Sequence, residues 1–139
     1  MKALIVDDAN RWVLAMKQRF AKNSKVVVEL VAAYDRATAV AKAVNVIEKH
    51  RPNILFLDHS LSGDGGEGLE IAKRVMEQGE IKIYSTSLLG PSVLAQYPPG
   101  TEWVGKDATE IAKIIELQQK APLSSSRGST RRRSVRKQG

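Results

Sequence analysis

The stretch Asn53-Ile54-Leu55-Phe56-Leu57-Asp58 decides the fold. Four consecutive apolar residues closed by one carboxylate are typical of a strand that is buried on both faces of a parallel sheet. Pro52 precedes this run and a glycine-rich segment follows it, so the strand is short. Open α/β sheets bind their ligands at the carboxyl ends of the strands, and the sequence places Asp58 there. Taken alone, Asp58 would equally suit a turn cap.

Strands and helices alternate on both sides of this central run. Apolar and β-branched patterns predict further strands at 2–6, 25–31, 81–85 and 103–104. Helical spacing predicts helices at 10–21, 35–50, 67–78, in a short segment between Pro91 and Pro98, and from Asp107 onward. This alternation implies an α/β fold, with a doubly wound five-stranded parallel sheet, right-handed crossovers and helices on both faces.

Several polar residues and one glycine mark the predicted helix ends. Asn10 and Asp35 are candidate N-caps, and Asp107 with Glu110 three residues later resembles a capping box. Gly79 is the expected C-cap of the helix at 67–78. The side chains expected to face inward from that helix are Leu69, Ala72, Val75 and Met76.

Composition restricts the class of protein. The chain has 139 residues, which suffices for one domain with a proper core. It contains no cysteine, so disulfides, thiolate nucleophiles and cysteine-ligated metals are excluded. The two histidines, His50 and His59, are too few for a histidine-rich metal site. The first residues do not form a signal peptide, and no apolar run is long enough to span a membrane, so we expect a cytoplasmic protein.

The net charge of +7 is unevenly distributed. Six basic residues and no acid lie in residues 121–139, which leaves residues 1–120 close to neutral. Serine, arginine and glycine replace the apolar periodicity there, so we predict that 121–139 is a disordered basic tail. The expected folded domain is 1–120.

Polar residues follow the predicted strands at one edge of the sheet. They are Asp7, Asp8, Asp58, Ser85, Thr86 and Lys106. Carboxylates this close raise each other's pKa unless a cation compensates them. Oxygen ligands of high charge suit Mg²⁺, which leaves room for phosphate oxygens. The metal, the lysine and a hydroxyl would together neutralise a phosphoryl group carried on a carboxylate.

The chain resembles a receiver domain of two-component response regulators over about residues 1–120. The stretches that carry this resemblance are Leu4-Ile5-Val6-Asp7-Asp8, Ile54-Leu55-Phe56-Leu57-Asp58, Glu67-Gly68-Leu69-Glu70-Ile71 and Trp103-Val104-Gly105-Lys106. The resemblance implies a flavodoxin-like sheet of strand order 2-1-3-4-5. It also implies a signalling switch rather than an enzyme, with at most self-phosphorylation from a phosphodonor and autodephosphorylation.

The resemblance assigns roles to individual residues. Asp58 would be the phosphoacceptor for a sensor histidine kinase or phosphotransfer protein, and Lys106 would pair with the phosphoryl oxygens. The Mg²⁺ ligands would be Asp7, Asp8, Asp58 and the main-chain carbonyl of Ser60. The hydroxyl that senses the phosphoryl group falls on Ser85 or Thr86, and the strand phase of Ile81 and Ile83 favours Ser85. Trp103 would be the aromatic switch residue, and output would follow from docking to a downstream protein.

Three other interpretations remain open at this stage. A pseudo-receiver would have this fold without being phosphorylated. The basic segment 127–137 would give weak contacts with nucleic acid or another acidic surface. Residues 63–68 satisfy the G-x-G-x-x-G spacing of dinucleotide sites, but they do not directly follow the strand, and Asp64 and Glu67 would repel a pyrophosphate.

Overall fold

The computed structural model describes residues 1–120 and contains one five-stranded parallel sheet of order β2-β1-β3-β4-β5. The strands are β1 (Ala3–Asp7), β2 (Val26–Leu30), β3 (Ile54–Leu57), β4 (Lys82–Ser85) and β5 (Glu102–Trp103). The predicted fold class and strand order are confirmed. The segment 121–139, predicted to be a disordered basic tail, lies outside the described residues.

Four α-helices and one 3-10 helix connect the strands of the described chain. They are α1 (Asn10–Arg19), α2 (Arg36–His50), α3 (Glu67–Met76), the 3-10 helix Pro91–Gln96, and α4 (Ala108–Lys120). Helices α2 and α3 pack with the 3-10 segment on one face of the sheet. Helices α1 and α4 cover the other face. Within residues 1–120, no helix has both the length and the apolar character needed to cross a membrane.

The alternation of side chains along each strand divides the core into two layers. In β3, Leu55 and Leu57 join the cluster beneath α2 and α3, whereas Ile54 and Phe56 join the cluster beneath α1 and α4. All four of these residues are buried. The central run is therefore apolar throughout because both of its faces are covered, as the sequence predicted.

Two of the predicted helix caps are present. The Asp35 carboxylate accepts a hydrogen bond from the Thr38 amide at 2.8 Å and precedes α2. The Asp107 carboxylate accepts from the Glu110 amide at 3.0 Å and precedes α4. Both caps satisfy helix-end amides that have no partner within the helix.

Other predicted boundaries are wrong by a few residues. Ala9, not Asn10, occupies the N-cap of α1, because the Asp7 carboxylate accepts the Ala9 amide at 2.9 Å and turns the chain early. Helix α3 ends at Met76 with Glu77 as its C-cap, so Gly79 is not the cap. Met76 is exposed, and Ile71 is buried instead.

The segment between β4 and β5 also differs from the prediction. The short helix after Pro91 is a 3-10 helix rather than an α-helix. The last strand covers Glu102 and Trp103, one residue earlier than predicted. Prolines at both ends of the segment leave little length for a regular α-helix.

A close approach between α3 and the end of β3 requires glycine at position 68. A Cβ atom on Gly68 would overlap the Asp58 carbonyl oxygen and lie 2.8 Å from both the His59 Cα and the Tyr97 hydroxyl. The Gly68 amide donates to the His59 carbonyl at 2.9 Å. The first turn of α3 is thus fixed directly against the residues that follow β3.

We predict that Gly68→Ala destabilises the fold by about 1–3 kcal/mol, since the added methyl group meets main-chain atoms that cannot move independently. Urea unfolding followed by circular dichroism measures the change. Gly63→Ala is the matched control, because nothing lies within 4 Å of the position a Cβ would take there. Equal stability of the two variants would contradict this packing.

Candidate functional site

Three carboxylates meet at the carboxyl edge of the sheet. Asp7 ends β1, Asp8 follows it, and Asp58 comes directly after β3. One oxygen from each carboxylate lies within 4.8 Å of the others. Asp7 is fully buried, Asp58 is partly buried and Asp8 is exposed. The acid cluster that the sequence predicted is therefore assembled by adjacent parallel strands.

Lys106 supplies the positive charge at this cluster. Its Nζ contacts the Asp7 carboxylate and lies 3.3 Å from Asp58 Oδ2. The chain is positioned by the Ser85 carbonyl, which accepts the amides of Val104 and Gly105 at 2.9 and 3.2 Å. Gly105 has a φ of 74°, a left-handed conformation that glycine adopts without strain. The lysine is thus directed at the acids by the end of β4.

The electrostatics of the cluster favour protons or cations. Burial and the neighbouring Asp7 charge raise the pKa of Asp58 to about 6, although Lys106 and the His59 amide act in the opposite direction. Burial and Asp7 also raise the pKa of Asp8. A single lysine therefore does not compensate three carboxylates. An all-oxygen donor set with excess negative charge fits a hard divalent cation such as Mg²⁺.

Strand phase separates the two candidate hydroxyls. Asp7 lies two residues after Ile5, and Asp58 lies two residues after Phe56. Ile5 and Phe56 both face α1 and α4, so strand alternation directs the two acids to the same side. Tyr84 faces the same side, and Thr86 lies two residues beyond it. Ser85 instead pairs with Leu57, whose side chain faces α2 and α3.

The hydrogen bonds of the two hydroxyls also differ. Ser85 Oγ accepts the Ser87 amide at 3.3 Å. Thr86 Oγ1 is buried and has no hydrogen-bond partner among residues 1–120. The Thr86 amide donates to the Leu57 carbonyl at 3.1 Å, which places Thr86 beside Asp58 in the extended register. A buried hydroxyl without a partner next to the acids is available to an incoming oxygen.

Trp103 lies on β5, the edge strand of the sheet. Its indole Nε1 donates to the Ser87 carbonyl at 2.8 Å, and its side chain is partly exposed. The indole also packs over Gly105, where a Cβ would lie 2.8 Å from a ring carbon. Trp103 therefore joins the segment after β4 to the turn that carries Lys106.

The loop from His59 to Gly66 contains contacts that sequence reasoning missed. Glu67 is fully buried, and its carboxylate accepts the Leu61 amide at 2.9 Å and the Ser62 hydroxyl. Burial alone would raise the pKa of Glu67, but these hydrogen bonds lower it below its usual value. Arg36 binds the same loop from α2. Neither contact has a sequence signature, because each joins a residue to a loop of irregular conformation.

Two aromatic residues near the acids were also missed. The Trp12 ring centroid lies 5.7 Å from Lys106 Nζ, within cation–π range. The buried Tyr97 hydroxyl is 2.7 Å from His59 Nδ1. Burial and the Asp58 charge raise the pKa of Tyr97 above its usual range. The predicted helix at 10–21 includes Trp12, but its helical spacing does not predict a contact between Trp12 and Lys106.

Solved structures resemble this chain closely enough to define its fold. The BeF₃-activated receiver domain of Klebsiella pneumoniae RstA matches with a TM-score of 0.64 at 16% identity, covering 87% of this chain and 100% of that one. A LuxR-family two-component response regulator from Aurantimonas sp. matches with a TM-score of 0.63 at 20% identity, over 93% of this chain and 88% of that one. The response regulator domain of Thermotoga maritima CheB has a TM-score of 0.56 at 18% identity, over 88% and 98% of the two chains.

These likenesses show that the chain has the receiver-domain fold, and the resemblance inferred from the sequence is confirmed at that level. No protein-family model matches the sequence, and no curated protein matches it. The acid cluster and its lysine lie at the edge where parallel α/β sheets bind ligands.

We predict that Lys106→Met raises the pKa of Asp58 above 6 in the metal-free protein, because the lysine charge and hydrogen bond hold that pKa down. Carboxyl-carbon NMR titration in the presence of a chelator measures it. Lys113→Met, on the exposed surface of α4, is the control for loss of one positive charge. An unchanged Asp58 titration in Lys106→Met would contradict the geometry.

The raised pKa of Asp58 also predicts how stability depends on pH. The carboxyl keeps its proton up to about pH 6 in the folded state and only to about 3.8 when unfolded. Its contribution to the free energy of unfolding therefore falls as the pH rises from about 4 to 6. In Asp58→Asn the decline should be smaller than in the wild type, because Asp58 no longer contributes to it, as measured by urea unfolding without divalent cations. Glu48→Gln, an exposed substitution, should retain the decline.

Proposed function

We propose that this chain is a phosphoacceptor signalling switch, with residues 1–120 as its receiver unit and Asp58 as the residue that is phosphorylated. The observation that carries the proposal is the convergence of Asp7, Asp8 and Asp58 within 4.8 Å, with Lys106 bridging two of them, in a receiver fold. The proposed donor is a phosphohistidine on a sensor histidine kinase or a phosphotransfer protein.

The proposed chemistry is transfer of one phosphoryl group between two nucleophiles. An Asp58 carboxylate oxygen forms a bond to phosphorus while the P–N bond of the phosphohistidine breaks, and the electron pair stays on the histidine nitrogen. With a pKa of about 6, Asp58 is ionised at neutral pH and is competent as the nucleophile. Lys106, already 3.3 Å from Asp58, would balance the charge that the phosphoryl oxygens bring.

Mg²⁺ is the proposed cofactor. The carboxylates of Asp7, Asp8 and Asp58 and the main-chain carbonyl of Ser60 would hold it, in agreement with the oxygen-only donor set. When bound, the ion would supply the positive charge that lets the acids and the phosphoryl oxygens lie close together. Asp7 and Asp58 are already paired with Lys106, so Mg²⁺ would share their oxygens with the ammonium group.

Thr86 is the proposed sensing hydroxyl, although strand phase had favoured Ser85 at the sequence level. The support is its register beside Asp58 and its buried Oγ1 without a partner among the described residues. Ser85 Oγ already accepts the Ser87 amide. Attraction of Thr86 to a phosphoryl oxygen would pull on the chain that follows β4.

The segment from Ser87 to Trp103 is the proposed output region. It follows Thr86 directly, and Trp103 is tied to it by the indole hydrogen bond to the Ser87 carbonyl. Leu88 and Leu89 are exposed within it. Movement of Thr86 would change this surface, and a downstream protein would recognise the difference.

The direct test is incubation with acetyl phosphate and Mg²⁺, followed by intact-mass analysis. We expect an added mass of about 80 Da, that of one phosphoryl group. The adduct should be absent in Asp58→Asn and without divalent metal, but present in Glu48→Gln, a control at an exposed acid on α2. A wild-type protein that remains unmodified would favour the pseudo-receiver interpretation.

A second experiment separates the two hydroxyls. With Mg²⁺ and beryllofluoride as the phosphoryl mimic, amide NMR shifts over residues 87–103 should change in the wild type and in Ser85→Ala. In Thr86→Ala that response should be strongly reduced, since the pull on the segment is lost. A full response in Thr86→Ala with a lost response in Ser85→Ala would assign the role to Ser85.

A further inference from the structure

Arg36, the first residue of α2, holds the loop that follows the proposed phosphoacceptor. Its guanidinium donates to the Gly65 carbonyl at 2.9 Å and to the Gly66 carbonyl at 3.3 Å. Its main-chain amide donates to the Asp64 carboxylate at 2.9 Å. Three consecutive loop residues are therefore bound to one residue that lies 28 positions or more before them.

The guanidinium itself is oriented by a second contact. Arg36 Nε donates to Glu70 Oε1 at 3.2 Å, on the first turns of α3. The planar group thus spans the loop carbonyls and the helix that begins after them, a geometry that the fork of donors on arginine allows and that a lysine ammonium does not.

The conformation of the loop requires such a partner. Gly65 and Gly66 both have positive φ values, 77° and 79°, a left-handed conformation that glycine adopts without strain. A Cβ on Gly66 would lie 3.0 Å from the guanidinium, so arginine fills the concave side of the turn. The Gly66 carbonyl also accepts the Glu70 amide at 3.5 Å, so the guanidinium matters most for the Gly65 carbonyl, which would otherwise depend on water.

The other end of the loop is fixed from inside the core. Leu61 is fully buried, and its amide donates to Glu67. Glu67, which holds this anchor, directly follows Gly66, which Arg36 binds. A Cβ on Gly65 would also lie 3.6 Å from Ser60 Oγ, so the part of the loop that Arg36 holds lies against Ser60. Ser60 is the residue whose carbonyl we propose as a metal ligand.

We infer that Arg36 is a positioning residue for the metal site: it fixes the loop from His59 to Gly66 and thereby the main-chain oxygen that completes the ligand set. This inference rests on the proposed Mg²⁺ site. Among residues 1–120, Arg36 forms no hydrogen bond or ion pair with the three acids of the metal site or with Lys106. Its effect is on the preorganisation of the ligands, and groups in that position commonly change metal affinity about tenfold or more.

Arg74 provides a matched control. Its guanidinium also binds Glu70, at 2.7 Å, and carries the same charge, but its contact is on α3 and not with the loop. Arg36→Ala and Arg74→Ala therefore remove the same charge and the same kind of ion pair. They differ in the guanidinium hydrogen bonds to the Gly65 and Gly66 carbonyls, whereas the main-chain amide of residue 36 can still donate to Asp64 in both variants.

The experiment measures Mg²⁺ affinity by calorimetry, together with hydrogen exchange of the amides of residues 60–66. We expect Arg36→Ala to weaken Mg²⁺ binding about tenfold and to speed exchange in the loop. Arg74→Ala should leave both close to the wild type. Arg36→Lys keeps the charge and is the second variant to measure in case Arg36→Ala does not fold. It should still lose most of the Mg²⁺ affinity.

The outcomes separate this inference from the proposed function. Equal Mg²⁺ affinity in Arg36→Ala and wild type, full recovery in Arg36→Lys, or a wild type that binds no Mg²⁺ would each overturn the inference. If the wild type is phosphorylated on Asp58 but Arg36→Ala binds Mg²⁺ normally, the inference alone fails. If Mg²⁺ binds with the expected dependence on Arg36 but no phosphoryl group is accepted, the proposed function fails and the positioning role stands.

Discussion

Excess negative charge at the carboxyl edge of the sheet is the constraint on which the site depends. Three carboxylates meet there, one of them fully buried, and Lys106 is the ammonium group that reaches them. Such an arrangement reduces stability unless protons or cations enter it, because desolvated like charges repel strongly. A neutral residue in place of one of these acids would relieve the repulsion. The presence of all three at one edge is therefore the physical reason to expect a cation there.

The rest of the fold delivers these groups to one place. Strands β1 and β3 are adjacent and covered on both faces, so the residues that follow them emerge at the same edge. Side-chain alternation then directs Asp7 and Asp58 to the α1 and α4 side, where Thr86 continues the phase of Tyr84. The turn at Gly105 brings Lys106 to the same acids. The two-layer core thus fixes the geometry of the site, as well as the stability of the domain.

The sequence predicted the parts of the structure that local patterns determine. Apolar runs followed by acids predicted the strands and the edge of the sheet at which the acids meet. Asp35 and Asp107 predicted the starts of two helices. Patterns failed where tertiary contacts decide. Asp7 moved the α1 boundary by accepting the Ala9 amide. The choice between Ser85 and Thr86 likewise needs the register of the neighbouring strands, which the phase of Ile81 and Ile83 does not contain. The Arg36 contacts lie between distant segments and had no local signal at all.

The proposed site would hold one divalent cation at this edge of the sheet. Mn²⁺ is a paramagnetic substitute for Mg²⁺, and substoichiometric Mn²⁺ broadens the NMR signals of nuclei near the ion. We expect broadening centred on Asp7, Asp8, Asp58 and the amide of Lys106, reversed by excess Mg²⁺. Broadening centred on other acids, such as Glu48 and Glu80 at the opposite edge, or no saturable broadening at all, would contradict a cation site at these three acids.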